Sequence, residues 1–188
     1  MFDKNSEMFT YLEMRELIRA RMYLSRLNDV EPRRTYLITA SNNYDQIIGY
    51  ILYHKVVGRP FDISIISTIV SSEFRNHGIF KNMMNILKNE FSSITLSCFV
   101  EKVPLYQKLG FQIACNIQTQ IGMYYGTLND DGQVVSIDED EIDKIDVVIS
   151  TLASLKNRVG QQWTNIYNQY TKINNDAISN AKSFVKDK

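Results

Sequence analysis

The segment Val70-Ser-Ser-Glu-Phe-Arg75-Asn-His-Gly78-Ile-Phe80 carries the strongest chemical signal in the chain. A β-branched run ends at Val70, a polar loop follows, and Gly78 stands where an amphipathic helical pattern begins. Such a junction offers unpaired N–H groups and the positive end of a helix dipole, which together hold a phosphate or pyrophosphate. Gly78 lets a ligand approach the backbone, and Arg75 adds a lasting positive charge. Further along, Val103-Pro-Leu-Tyr106-Gln-Lys-Leu-Gly110-Phe111 reads as a short helix presenting Tyr106, with Pro104 in its first turn and Gly110 as its stop. Cys98 and Cys115 have no CxxC spacing, and the two histidines, His54 and His77, are not clustered. That pattern predicts neither a metal site nor a disulfide framework, and it fits a reducing cytoplasm.

The elements that must position these residues follow from periodicity. Residues 7–27 place Met8, Tyr11, Leu12, Ile18 and Met22 at helical spacing, with Asn5 or Ser6 as N-cap and Glu31-Pro32 as the stop. Residues 34–40 and 46–57 are β-rich and joined by the turn composition Ser41-Asn-Asn-Tyr-Asp45, which predicts an antiparallel pair. Residues 63–70 form a third strand. Phe80, Met83, Met84, Leu87 and Phe91 then recur at steps of three and four, a helix over 78–90. Strands at 94–100, 111–116 and 122–128 complete the series. The strand–helix–strand step from Ile63 to Ile94 implies a parallel pair with a right-handed crossover.

The tail has another grammar. From Ile142 through Ile149, Trp163, Tyr170 and Ile173 to Phe184, apolar residues follow steps of three and four, a coiled-coil-like stripe. Ser136 with Glu139 fits a capping box, and Lys182, Lys186 and Lys188 put base at the far end. Gly160 and Asn174-Asn175 are points where this helix could kink or fold back. The expected fold class is α/β: a mixed sheet with flanking helices over residues 1–131, then a C-terminal helical extension over 132–188. The extension either packs on its own domain or pairs two chains as a homodimer.

Taken together, Arg75-Asn-His-Gly-Ile-Phe80 and Leu105-Tyr-Gln-Lys-Leu-Gly-Phe111 resemble the pyrophosphate loop and the Leu-Tyr-x-Lys-x-Gly-Phe segment of the GNAT superfamily of N-acetyltransferases. The element order agrees over residues 7–128. Leu96-Ser-Cys98, Val103-Pro-Leu-Tyr106 and Gln120-Ile-Gly-Met-Tyr-Tyr125 look most like the arylalkylamine N-acetyltransferase-like branch. Phe80 stands where the family's loop ends on a small residue, so its side chain must turn away from the phosphates. The resemblance implies acetyl-CoA as cosubstrate, lying between the strand that ends at Val70 and the strand over 94–100. It implies main-chain contacts from Ile69 and Val70 to the pantetheine and acetyl group. The amides of Asn76, His77, Gly78, Ile79, Phe80 and Lys81 would hold the pyrophosphate beside Arg75. It also makes the Tyr106 phenol the acid that meets the departing thiolate.

Direct transfer needs a neutral amine, so a base must take its proton. Asp62 opens the strand leading to the acetyl site and His54 ends the neighbouring one; both are candidates, and Glu101 is a third. Cys98 reads as a small core residue, since direct transfer needs no acyl-enzyme.

Composition narrows the partners. Of 188 residues 44% are apolar, enough for a core, and 21 basic residues balance 21 acidic ones. A net charge of zero argues against a dedicated nucleic-acid binder, whose affinity rests on excess positive charge. No apolar run approaches the ~20 residues of a membrane span, and residues 1–7 lack the apolar stretch of a secretory leader. The expected function is acetyl transfer to the primary amine of a small molecule. The alternatives are a protein or aminoacyl-tRNA amine as acceptor, or a degenerate acyl-CoA-binding assembly module.

Overall fold

The computed structural model describes residues 4–129 and 131–186. Residues 1–3 of the segment read as lacking a leader's apolar stretch, and the base expected at Lys188, lie outside them. The chain divides into two units, one of residues 27–135 and 178–188, the other of residues 1–26 and 136–177.

The first of these holds a six-stranded sheet. Its strands are β1 (Tyr36–Ser41), β2 (Ile47–Val56), β3 (Arg59–Val70), β4 (Ser93–Cys98), β5 (Gln112–Ile117) and β6 (Gln120–Gly126), in the order β1-β2-β3-β4-β6-β5. All neighbours are antiparallel except β3 and β4, which run parallel across helix α2 (Ile79–Glu90) as the crossover requires. The third strand starts earlier than its β-branched run, because Arg59 pairs with Val56 around the turn at Gly58. Ile63, Ile65, Ile94 and Leu96 alternate onto the face that α2 covers with Met83, Met84 and Leu87. Each such burial stabilises by ~1.5–3 kcal/mol. Ala181, near the C-terminal end of the chain, is fully buried in this core, with Phe184 and Val185 beside it.

Burial pushes the Tyr53 phenol up to about 12, helped by Glu90, and the Tyr106 phenol up to about 12, helped by Cys98. A raised pKa means the unfolded chain ionises first. The stabilisation is therefore complete below the unfolded tyrosine value of 10.0 and fades as pH climbs toward 12. Melting temperature should be flat across neutral pH and fall from pH 10 upward, with Tyr53→Phe removing part of that fall.

The other unit is helical: α1 (Phe9–Ser25), α4 (Glu139–Asp143), α5 (Asp146–Val159) and the stretch of α6 (Trp163–Lys186) up to Ala177. Helix α3 (Val103–Gln107) belongs to the sheet unit. Met8, Leu12 and Leu155 form one buried cluster of the helical unit, and Ile18, Tyr23, Ile142 and Val148 are buried in that unit as well. Arg15 holds Asp143 with two nitrogens, at 2.7 and 3.1 Å, and reaches Glu139 at 3.2 Å. Arg15→Met keeps the stem and removes the fork; it should cost about 1–2 kcal/mol by urea denaturation, the lower end for a charged hydrogen-bonded group, because its two carboxylate partners are about half in solvent.

The long stripe is not one helix. Asp138, not Ser136, caps α4, its carboxylate accepting from the Asp140 amide at 3.0 Å. Helix α4 ends at Asp143, and α5 starts anew after an extended Ile145. Gly160, at φ 51 and ψ −123, then separates α5 from α6, whereas α6 runs unbroken through Asn174-Asn175. Each break resets the helical phase. Ile149 and Ile173 are thereby left 50% and 69% exposed, while Val148 and Leu155 take the buried positions.

Candidate acetyl-transfer site

The ladder between β3 and β4 covers only Asp62–Ser93, Ile63–Ile94 and Ser64–Thr95. Beyond Ser64 and Thr95 the two parallel strands part, and a gap opens toward their C-terminal ends. A bulge sits at its mouth. Leu52 faces Ser67 and Tyr53 faces Ile65, which leaves Ile66 as an extra residue in β3. Bulges bend a strand and take a backbone group out of the ladder. The signal was present in the chain: Asp62-Ile-Ser-Ile65 alternates polar and apolar, and the phase slips at Ile65-Ile66.

The polar loop follows from the end of β3. A single 3-10 turn, Ser72–Phe74, leads to Arg75, whose Nε donates to the Val70 carbonyl at 3.1 Å. The carbonyl of Arg75 lies 2.8 Å from His77 Nδ1, which therefore carries the proton and donates to it. The backbone then turns through two left-handed residues, Asn76 at φ 64 and Gly78 at φ 78. Gly78 caps α2 and has no side chain to bond the first-turn donors, and no acid stands in that turn. A Cβ built on Gly78 meets nothing within 4 Å. The glycine is thus required by the backbone and also leaves empty space in front of the helix. Donors, dipole and room fit a pyrophosphate.

Tyr106 is brought to the same place. Phe80 turns inward from the first turn of α2, and its ring meets Tyr106 edge-on at 5.8 Å. Phe111 closes the other side of Tyr106 at 5.8 Å. Near the end of α2, Lys88 donates to the Leu109 carbonyl and lies 4.3 Å from the Tyr125 ring, tying down the turn after α3. Gly110, at φ 81, makes that turn possible. The two segments singled out by sequence therefore meet through one aromatic contact, on the face of the sheet that α2 covers. Burial, with Glu101 adding to it, pushes the neighbouring Cys98 thiol up to about 11, which keeps it neutral and a poor nucleophile.

The candidate bases stand elsewhere. His54 and Asp62 alternate onto the opposite face. His54 is 1% exposed; its Nδ1 lies 3.0 Å from the Arg34 carbonyl, so this nitrogen bears the proton and Nε2 the lone pair. Register places His54 beside Ser64, and Ser64 beside Thr95, at the level where the gap opens. Tyr124 and Gln112 continue this row, with the Tyr124 hydroxyl donating to Gln112 Oε1 at 2.9 Å. Asp62 lies two residues below, in the closed part of the ladder. Its carboxylate accepts from Asn129 Nδ2 at 2.6 Å and lies 3.8 Å from Arg59.

The sequence model of the acetyltransferase (GNAT) family matches residues 1–111. No curated protein matches the chain. Among solved structures, a nourseothricin acetyltransferase is similar at 13% identity and TM-score 0.42, over 48% of this chain and 62% of that one. Ard1 from Thermoplasma volcanium is similar at 18% identity and TM-score 0.39, over 45% and 66%. The chain thus spans less than two thirds of the length of both. A Bacillus anthracis protein named as a candidate streptothricin acetyltransferase, in complex with acetyl coenzyme A, is similar at 20% identity and TM-score 0.46, over 56% and 68%.

Proposed function

Because the chain belongs to the acetyltransferase (GNAT) family, we propose that it transfers the acetyl group of acetyl-CoA directly to the primary amine of a small molecule. The observation that carries this reading is the convergence of the uncapped, open Gly78 turn and the Phe80–Tyr106 pair beside the β3/β4 gap. The amides of residues 76–81 and the Arg75 charge hold the pyrophosphate; the backbone of Ile69 and Val70 lines the acetyl arm. A thioester in the gap is reachable from both faces of the sheet. On one face the acceptor amine attacks the carbonyl carbon, a C–N bond forms and the C–S bond breaks. His54 Nε2 receives the amine proton, directly or through water, while Tyr106 meets the sulfur from the other face. Asp62 is the second candidate base.

A phenol pushed up to about 12 is a weaker acid than an ordinary alkyl thiol, so full proton transfer from it to the departing thiolate is uphill. Tyr106 works instead as a hydrogen-bond donor to sulfur as charge builds there, and the thiolate is protonated from solvent. Of possible acceptors, aryl-substituted alkylamines are favoured by the Leu96–Cys98, Val103–Tyr106 and Gln120–Tyr125 fragments. Residues 132–188 are the proposed seat of a second copy, since Ile149 and Ile173 stand in water.

The test is calorimetry with acetyl-CoA against desulfo-CoA and adenosine, followed by thiol release across a panel of amines. Binding should require the pyrophosphate but not the sulfur, and turnover should require an unprotonated amine. No heat and no thermal shift at millimolar acetyl-CoA would defeat the proposal. His54→Gln should lower kcat/KM by about tenfold and erase the acidic limb of its pH profile, water in the gap limiting the loss. Asp62→Asn should change the limb less, because its partners Asn129 and Arg59 keep it in the closed ladder.

A further inference from the structure

We propose that the helical unit carries a second binding site, a cleft for a small aromatic carboxylate. A cavity of about 450 Å³ lies among α1, α4, α5 and α6, formed wholly by residues of that unit. The volume is within the range of small-molecule sites, ~300–1,000 Å³. Tyr11, Trp163, Tyr167 and Tyr170 line it, over an apolar floor of Met8 and Leu12. Four aromatic rings around one cleft supply stacking surfaces for a flat ring.

The charges decide the sign of the ligand. Asp143 is already satisfied: Arg15 holds both its oxygens, and the Tyr11 hydroxyl donates to it at 3.4 Å. Burial and Asp143 together push the Tyr11 phenol up, so that donor stays in place at neutral pH. Lys156 differs. Its ammonium sits 5.1 Å over the Trp163 ring, on the cleft wall, and it forms no ion pair among the described residues. The best cation position over Trp163 is therefore taken by the chain's own lysine, which disfavours a cationic guest. Asp143, the carboxylate on the cleft wall, is held by Arg15, and among the described residues no ion pair takes the remaining donors of that ammonium. A ring between the tyrosines, with a carboxylate on Lys156, completes both halves.

Trp163 is the single tryptophan of the chain and so reports on the cleft directly. Phenylacetate should change its emission saturably and raise the melting temperature. Benzylamine, with the same ring and opposite charge, and acetate, with the charge and no ring, should each require at least about tenfold higher concentration. Lys156→Met, at an exposed position, should fold normally and weaken phenylacetate by about fivefold while leaving benzylamine unaffected. An equal response to benzylamine, unaltered affinity in Lys156→Met, or no saturable change at ~20 mM phenylacetate would overturn the proposal. The emission reads the cleft whether or not the chain turns over acetyl-CoA, so this result is independent of the acetyltransferase reading.

Discussion

Gly78→Val should weaken acetyl-CoA by about 100-fold or more while leaving a folded protein. Position 78 has φ 78 and ψ 0, a conformation in which a β-branched side chain is strained by at least ~1–2 kcal/mol. A domain with a well-filled core under α2 survives that, with a melting temperature lowered by a few degrees. Binding suffers more. The Cβ of residue 78 projects into space where nothing lies within 4 Å, the space in front of the free first-turn amides. A branched side chain there pushes the pyrophosphate away from one or two charge-assisted N–H bonds, each worth ~1.5–3 kcal/mol. Calorimetry beside circular dichroism separates the two effects. A variant that binds acetyl-CoA with native affinity would remove the Gly78 turn from the site.

Tyr106→Phe should lower kcat about 100-fold with acetyl-CoA affinity little changed. Phenylalanine preserves the edge-on contacts to Phe80 and Phe111, so the packing of α2 against α3 is kept and only the hydroxyl is lost. A donor aimed at developing charge acts in the transition state and not in the bound ground state, so its loss falls on kcat. Removal of one such donor costs ~10²–10³-fold in well-studied cases. With the phenol pushed up to about 12, the proposed activity should show no alkaline fall from Tyr106 below about pH 11. Thiol release under saturating acetyl-CoA, where chemistry limits turnover, is the measurement. An unchanged rate would leave Tyr106 as a packing residue.

Much of the sheet was legible because the hydrophobic period changes from two to three-and-four at Gly78 and back near Ser93. That change alone implies the parallel β3–β4 pair. Gly78 and Gly110 were legible as punctuation, and both have positive φ. The position of Asp62 was not. Nearness along the chain put it on the strand leading to the acetyl site, but only the three-pair register with β4 shows that it sits below the gap. His54 gained from the same register, through a cross-strand neighbour rather than through its own motif. The apolar spacing of the tail is that of one stripe, because spacing along a chain carries no mark of where the backbone turns. Gly160 stands out in the sequence as a break point, and its positive φ makes one, whereas the extended Ile145 shifts the phase with no glycine or proline to signal it.

The parting of β3 and β4 also bears on how this protein stays out of trouble at high concentration. Unpaired strand edges are templates for runaway association, and proteins usually bury or charge them. Here two such edges, Ile65–Val70 on one side and Leu96–Cys98 on the other, face each other inside a sheet. Met83, Met84 and Leu87 of α2 pack on the face of the sheet beside them. Both edges thus stand inside the sheet, with β2 beyond one and β6 beyond the other, and not at its rim. Filling the gap between them should slow amide hydrogen exchange at Ser67–Val70 and raise the concentration at which the chain precipitates on heating.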